Sequence, residues 1–150
     1  MSFLQQGIRD FIDRKAPTIK TSASITDLQK AFADPHDAQM GSVYAVDDNG
    51  LLSGKITLGA VNTLNTPGAK RPATAGEMAS KDGLVAVNVD AELWQLLRIM
   101  NGENSTNKKL DQIPIVDSSK KFIGVVERDQ LSSALSTIQF PVSASGQLEL

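Results

Sequence analysis

The sequence repeats itself, and this feature restricts the fold more than any other. Residues 43–56 align without a gap on residues 113–126, and each copy has an apolar run, an Asp, a polar turn and a second apolar run with Gly at the same offset. The alignment extends upstream with a slip of two residues, so that an apolar stripe starting at Ile25 falls on one starting at Leu93. A tandem repeat of this size predicts two similar units, neither of which buries its apolar face alone.

Each copy is predicted to fold as strand, helix, strand, strand, helix. The β-branched runs 43–46 and 113–116 predict strands, and Asn49-Gly50 favours a hairpin turn because both residues tolerate positive φ. Upstream of each run, apolar residues at steps of three and four indicate an amphipathic helix. The predicted fold class is mixed α+β, with two β-α-β-β-α repeats packed as a pseudo-twofold pair.

Short polar side chains mark where the helices are predicted to start. Ser22 and Asp90 are the predicted N-caps of the first helix of each copy, since a short side-chain oxygen can accept from free backbone N–H groups. The second helix of each copy is predicted to begin near Gly59 and Asp129.

The repeats divide the 150-residue chain into four predicted segments. Residues 8–65 form the first repeat and residues 75–140 the second. Residues 66–74 contain two prolines and a glycine and are predicted to be a linker, because these residues disfavour regular structure. Residues 141–150 are predicted to be a loosely ordered tail.

Composition excludes several kinds of site. The chain has no cysteine and one histidine, His36, so thiol chemistry, disulfides and two-imidazole sites are excluded. A formal charge of −2 argues against sequence-independent binding of nucleic acid. No apolar stretch approaches the ~20 residues that cross a bilayer, and the N-terminus becomes polar too soon for a secretory signal. We therefore expect no metal, no nucleic-acid partner, no membrane insertion of this chain and a cytoplasmic location.

The repeated pattern resembles a pair of cystathionine-β-synthase (CBS) domains, together called a Bateman module. The resemblance covers roughly residues 8 to 140, and the stretch Leu-Asp-Gln-Ile-Pro-Ile-Val-Asp at 110–117 fits it. It implies that the repeats pack sheet to sheet, that AMP, ADP or ATP binds in the clefts between them, and that no cofactor is required. It also implies a regulatory role for an attached or partner enzyme, channel or transporter, and a homodimer as the assembled form.

The ligand signature of the family is only partly present. It typically reads Gly, two apolar residues, Thr or Ser, two variable residues and Asp, where the hydroxyl meets phosphate and the Asp meets the ribose. The first repeat keeps Thr57 but has Ala60 in place of the Asp, and the second has Glu127 for the hydroxyl and Gln130 for the Asp. An unpaired Glu127 carboxylate would repel phosphate, so the first repeat is the better candidate.

Seven residues are carried over as candidate ligand contacts. Tyr44 is available to stack or to hydrogen-bond, and Lys55 shares a face with Thr57 only if no bulge separates them. An equally weighted alternative is that Thr57 merely caps the following helix. The predicted ligand-binding residues are Thr18, Ile19, Tyr44, Lys55, Thr57, Ile113 and Pro114.

Three function classes follow from these residues. The first is a regulatory module that senses an adenine nucleotide, and the second is a dimerisation or architectural module whose ligand site has decayed. An enzyme is disfavoured, because no nucleophile–base pair, metal cluster or intact phosphate loop can be assembled. The segments 3–8 and 54–58 resemble the cytoplasmic tail of a bacterial chloride channel or transporter, which would make the chain one part of a longer ion-transport protein.

Overall fold

The computed structural model of the chain describes residues 3–33, 41–68, 72–81 and 84–136. His36, the middle of the predicted linker and the predicted tail at 141–150 lie outside these ranges. The helices α1 to α5 span Ile25–Ala33, Leu58–Asn62, Ala75–Met78, Leu93–Met100 and Arg128–Ser136. The strands β1 to β6 span Thr18–Lys20, Ser42–Val46, Leu52–Thr57, Val87–Asn88, Gln112–Val116 and Phe122–Glu127. Single 3-10 turns lie at Phe3–Gln5, Arg9–Phe11 and Thr63–Asn65.

The strands form two three-stranded sheets with corresponding strand orders. One sheet has the order β1-β2-β3 and the other β4-β5-β6. β1 is parallel to β2 and β4 is parallel to β5, whereas β2 and β3 are antiparallel. Helices α1 and α4 connect the parallel strands, as a crossover between parallel strands requires. The predicted mixed α+β fold, with strand, helix, strand, strand, helix in each copy, is confirmed.

The turn between β2 and β3 forms where Asn49-Gly50 predicts it. Gly50 adopts a φ of 82°, a conformation that costs a glycine little. Asp47 holds the turn, because its Oδ1 accepts from the backbone N–H of Asn49 at 2.9 Å and of Leu51 at 3.0 Å. Asp47 therefore serves turn geometry.

The first-repeat unit is one of two compact units, and it consists of Lys15–Leu84 with Ser119–Phe122. Its core lies between α1 and one face of its sheet. Ile25, Leu28 and Phe32 project from one side of α1 at helical spacing and are at most 8% exposed. The remaining buried members are Val43, Ala45, Ile56, Val61 and Ala75.

The second-repeat unit contains the described residues of Met1–Arg14, Val85–Ser118 and Ile123–Leu150. Its core is built the same way, with Leu93, Leu96 and Met100 projecting from one side of α4. Its other buried members are Ile8, Val87, Val89, Ile113, Ile115, Val126 and Leu131.

The N-caps lie two residues after the positions predicted. Ser24 Oγ accepts from Asp27 N at 3.1 Å, and Glu92 forms a reciprocal capping box with Gln95 at the start of α4. The prediction of Ser22 and Asp90 is therefore wrong. The reason is that Asp90 lies in a turn in which its own N–H donates to Asn88 Oδ1 at 2.8 Å, before the helix begins.

An arm at the N-terminal end of the first repeat packs in the second-repeat unit. This N-terminal arm, residues 6–13, begins where Leu93 N donates to Gln6 O at 2.9 Å and ends where Asp13 and Val125 exchange backbone hydrogen bonds of 2.8 and 3.1 Å. Ile8, between these ends, is 0% exposed. The arm therefore completes the core of the second-repeat unit.

An equivalent arm, residues 73–80, packs in the first-repeat unit. Ala75 N donates to Ala23 O at 2.8 Å, and Lys55 and Ser80 exchange two backbone hydrogen bonds of 3.0 Å. Ala75 is 0% exposed, as Ile8 is in the other arm. This inter-repeat arm consists of the last two residues of the predicted linker and the start of the second repeat. The repeat boundaries describe sequence similarity rather than packing, so they stay a prediction.

Candidate functional site

Three predicted ligand residues lie side by side across the sheet of the first-repeat unit. Thr18 of β1 pairs directly with Tyr44 of β2, and Tyr44 pairs directly with Lys55 of β3. Side chains of directly paired residues point to the same face of a sheet. Thr18, Tyr44 and Lys55 therefore share one face, which we call the site face.

Thr57 lies on the site face as well. It pairs with Ser42, two residues beyond the pair of Tyr44 with Lys55. The register shift between β2 and β3 falls at Ala45/Val46, at the other end of the pairing. No bulge therefore separates Lys55 from Thr57, and alternation along the strand places both on one face. Lys55 is partly buried and Thr57 is exposed.

The other predicted residues lie elsewhere. Ile19 pairs with Ala45 on the opposite face of the sheet and packs against the core of the first-repeat unit. Ile113 and Pro114 are buried in the second-repeat unit, where Ile113 is a core residue. The structure thus brings four of the seven residues onto the site face, and a ligand role for any of the seven stays a prediction.

Thr57 also caps α2. Its Oγ1 accepts from Ala60 N at 3.1 Å, and its own backbone is extended, as an N-cap residue's is. The cap uses the hydroxyl as an acceptor and leaves its O–H able to donate. Capping and contact with an anion are therefore compatible at Thr57.

The matching position in the second-repeat unit has a different chemistry. Gln112 aligns with Ser42 and Glu127 with Thr57. Gln112 Nε2 donates to Glu127 Oε1 at 3.0 Å. The Glu127 carboxylate, which we expected to be unpaired, therefore has a partner, although its negative charge still disfavours phosphate.

Arg128, which the sequence did not single out, ties the start of α5 to the end of α4. Its guanidinium donates to Met100 O, to Leu110 O at 3.1 Å and to Asn101 Oδ1 at 3.1 Å. Met100 is the last residue of α4, and its carbonyl oxygen also accepts from Leu110 N at 2.9 Å, so the cation adds a second donor at a helix C-terminus. The only available signal was a basic residue at a loop–helix junction, which does not reveal its partners.

Tyr44 is not open for stacking in the way predicted. It is 1% exposed, and its ring stacks on that of Phe122, with centroids 5.2 Å apart and planes 25° apart. Phe122 belongs to the same compact unit and is partly buried. The contact was not predictable, because residue 122 lies far from residue 44 in sequence and in the other repeat.

The glycine that opens the ligand signature has a structural role in both copies. A Cβ on Gly54 would lie 2.9 Å from Ala79 Cβ, and a Cβ on Gly124 would lie 2.7 Å from Ile12 Cγ2. Both distances are shorter than real Cβ contacts. Each glycine therefore allows an arm to approach β3 or β6 closely.

In residues 3–33, 41–68, 72–81 and 84–136, no three His, Cys, Asp or Glu side chains are grouped so that they could hold a metal ion. None of the helices in these ranges has the length and apolar character needed to cross a bilayer.

Comparison with known proteins identifies the second half of the chain directly. Residues 75–137 match the family model described as CBS domain. The chain has no match among curated protein sequences.

Solved structures show the same fold over most of the chain. The CBS domain pair of protein MJ0100, in complex with 5′-methylthioadenosine and S-adenosyl-L-methionine, has a TM-score of 0.63 at 19% identity and covers 88% of this chain and 97% of its own. CBSX2 in complex with AMP has a TM-score of 0.65 at 20% identity, with 87% and 96% covered. The cytosolic domain of the Mg²⁺ channel MgtE, in complex with ATP, has a TM-score of 0.67 at 16% identity. The match covers 87% of this chain but 49% of that one.

Sequence and structure agree on the family. The family model matches residues 75–137, and the structural likeness extends over both repeats. Residues 75–137 are therefore a CBS domain, and the whole chain has the fold of a CBS-domain pair.

Proposed function

We propose that the chain is a non-catalytic regulatory module that binds an adenine nucleotide on the site face of its first-repeat unit. The observation that carries this proposal is the row of Thr18, Tyr44 and Lys55 across three strands, continued by Thr57 on the same face. The opposite face of that sheet is committed to the apolar core. The site face therefore concentrates polar groups on a rigid support, as a ligand site requires.

Lys55 and Thr57 supply groups suited to the phosphate end of the ligand. They lie two residues apart on one strand, which is about 7 Å. The Lys55 ammonium is a compact positive charge, and the Thr57 hydroxyl can donate while it accepts from Ala60 N. An anion placed between the two side chains meets a charge and a directed hydrogen bond.

We propose one nucleotide per chain, because the second copy of the face lacks these groups. Val125 stands in the position of Lys55, and Glu127 stands in the position of Thr57. An apolar residue and a carboxylate replace the cation and the hydroxyl. Phosphate binding at this second position is opposed by charge repulsion that no nearby cation in the row offsets.

The chain lacks the aspartate that would contact the ribose, and this absence lowers the expected affinity for the nucleotide. Ala60 stands where related modules have Asp, so the ribose hydroxyls lose a charged partner. A hydrogen bond to a charged group contributes about 1.5–3 kcal/mol, so we expect binding roughly ten- to a hundredfold weaker than with the carboxylate. Such a site would respond to nucleotides at high cellular concentration rather than to traces.

The output of the module is proposed to be regulation of an attached or partner protein. The cytosolic domain of a Mg²⁺ channel, which shares this fold, supports a channel or transporter as the partner class. A bacterial chloride channel or transporter is one candidate and an enzyme is another. We propose that the module acts at the cytoplasmic side as a homodimer.

A second candidate function is architectural, without a ligand. It is favoured by the structural use of the signature residues: Thr57 caps α2, Glu127 is bonded to Gln112, and the glycines accommodate the arms. In this alternative the module serves only to hold subunits together.

Calorimetric titration with AMP, ADP and ATP tests the two candidates. Sensing predicts saturable heat with one site per chain. It also predicts about tenfold weaker binding in Lys55→Met, because the charged contact to phosphate is lost. Lys30→Met is the matched control, since Lys30 is exposed on α1 and away from the site face. Absence of heat with all three nucleotides at millimolar concentration would overturn the nucleotide proposal in favour of the architectural one.

A further inference from the structure

The stacked pair of Tyr44 and Phe122 changes which aromatic ring a ligand would meet. Tyr44 lies in the middle strand of the site face, but with 1% of its surface exposed it offers no free ring face. Phe122 covers it and is itself only partly buried. Of the two stacked residues, Phe122 is therefore the one that retains solvent-accessible surface.

Phe122 is held in place by its backbone. Its N–H donates to Gly50 O at 3.0 Å, and beside it Leu52 N donates to Lys120 O at 3.2 Å. Both bonds attach the segment to the turn and start of β3, within the first-repeat unit. The phenyl ring is thus positioned by its own hydrogen-bonded backbone and by the Tyr44 ring stacked on one of its faces.

The chemistry of this arrangement suits a planar group. A ring fixed by a second ring behind it loses little conformational entropy when a third ring stacks on it. Nucleobases stack on aromatic side chains irrespective of their hydrogen-bonding edges, because every base has a π-face. Phe122 would therefore detect that a base is present without selecting which base it is.

We infer, on the basis of the proposed function, that Phe122 is the residue that determines specificity for a ligand bearing a nucleobase over one bearing only a sugar phosphate. Tyr44 is a positioning residue behind it and does not touch the ligand. Phe122 is encoded in the second repeat, whereas Lys55 and Thr57 are encoded in the first, so residues of both repeats contribute to this one site.

The test compares a ligand with a base and a ligand without one. Dissociation constants for AMP, GMP and ribose 5-phosphate are measured calorimetrically on the full chain and on Phe122→Leu, Phe122→Tyr and Phe11→Leu. Leu keeps apolar volume but removes the π-face, and Tyr retains the ring. Phe11→Leu is the matched control, because Phe11 is also partly buried but packs against the core of the second-repeat unit.

We expect Phe122→Leu to weaken the binding of AMP and GMP by about tenfold, which is the scale of base–aromatic stacking. The binding of ribose 5-phosphate should be unchanged. Phe122→Tyr should bind all three as the parent chain does, and so should Phe11→Leu. Thermal unfolding of each variant establishes that the compared proteins are folded.

Several outcomes overturn the inference. If Phe122→Leu weakens the binding of AMP and of ribose 5-phosphate equally, Phe122 contributes only to the shape of the site face. Unchanged binding of all ligands would mean that it takes no part. If the parent chain binds AMP no better than ribose 5-phosphate, the anion site stands and the base contact does not. If the parent chain binds none of the three, the proposed function fails and this inference fails with it.

Discussion

The backbones of Asp13 and Val125 exchange two hydrogen bonds, of 2.8 and 3.1 Å, and this pairing is possible because residue 124 has no side chain. A Cβ on Gly124 would lie 2.7 Å from Ile12 Cγ2 and would also collide with the carbonyl oxygen of Asp13. The contact fixes the end of the N-terminal arm, whose Ile8 is fully buried.

Gly124→Ala should therefore destabilise the protein. The added methyl group meets backbone as well as a side chain, so the arm must shift, and overpacking of this kind costs about 1–3 kcal/mol. Urea unfolding followed by Trp94, the single tryptophan of the chain, measures the change in the free energy of unfolding.

Gly59→Ala is the control for that experiment. Its Cβ would have only Thr57 Oγ1, at 3.9 Å, within reach, and the residue is exposed near the start of α2. Because alanine is the better helix former, we expect no loss, and a gain of up to about 1 kcal/mol. Equal stability of the Gly124→Ala variant and the parent chain would contradict the account of the arm.

Arg128→Met should destabilise the second-repeat unit. It keeps an unbranched apolar side chain but removes the donors to the carbonyl oxygens of Met100 and Leu110. Hydrogen bonds from a charged group contribute about 1.5–3 kcal/mol, and with the Arg128 side chain 28% exposed we expect the lower part of that range. The same urea unfolding assay measures the loss.

Asp111→Asn distinguishes the hydrogen bonds of Arg128 from its ion pair. Asp111 lies 3.6 Å from Arg128 Nε, but its side chain is 96% exposed, so screening by water leaves the pair with little effect. We expect a change below about 0.5 kcal/mol. A large loss in Asp111→Asn together with a small one in Arg128→Met would show that we have assigned the interaction to the wrong partner.

Thr57→Asp should separate helix capping from ligand binding. Aspartate is as good an N-cap as threonine, so the free energy of unfolding should change by less than about 0.5 kcal/mol. A carboxylate on the site face repels phosphate, so AMP binding should fall by at least about tenfold. Thr57→Ser, which keeps both the hydroxyl and the cap, should bind AMP as the parent chain does. Undiminished AMP binding by Thr57→Asp would remove Thr57 from the proposed site.

Ala60→Asp should introduce recognition of the ribose. The parent chain has no carboxylate at that position, so we expect it to bind AMP and 2′-deoxy-AMP with affinities within about threefold. The variant should bind AMP about tenfold more tightly and should prefer AMP to the deoxy form. A strong preference for AMP in the parent chain would mean that another group already contacts the ribose.

The predicted elements that formed are those with a local cause. Helix α1 follows from the spacing of Ile25, Leu28 and Phe32, and the turn at Gly50 follows from a residue that accepts positive φ. The shared face of Lys55 and Thr57 follows from alternation along an unbroken strand. Each of these depends only on residues near one another in the chain.

The predictions that failed or were not made depend on distant partners. The prediction of Ser22 as the N-cap rests on residue type alone, whereas the position of the cap depends on where the strand before α1 ends. The arms are short and have no periodicity, so their pairing with β3 and β6 leaves no local signal. The prediction that Tyr44 is available for stacking fails, because Tyr44 is buried and its ring stacks on that of Phe122, which lies in the other repeat.

The sequence by itself determined the repeat and the order of the strands and helices, whereas strand pairing in the structure brought Thr18, Tyr44 and Lys55 onto one face. Only the tertiary structure decided which arm packs with which repeat, which aromatic ring is accessible, and what Arg128 holds together. The reason is physical. Local order follows from backbone preferences and from hydrophobic periodicity over a few residues, whereas burial and hydrogen-bond partners are set by which distant segments are brought into contact.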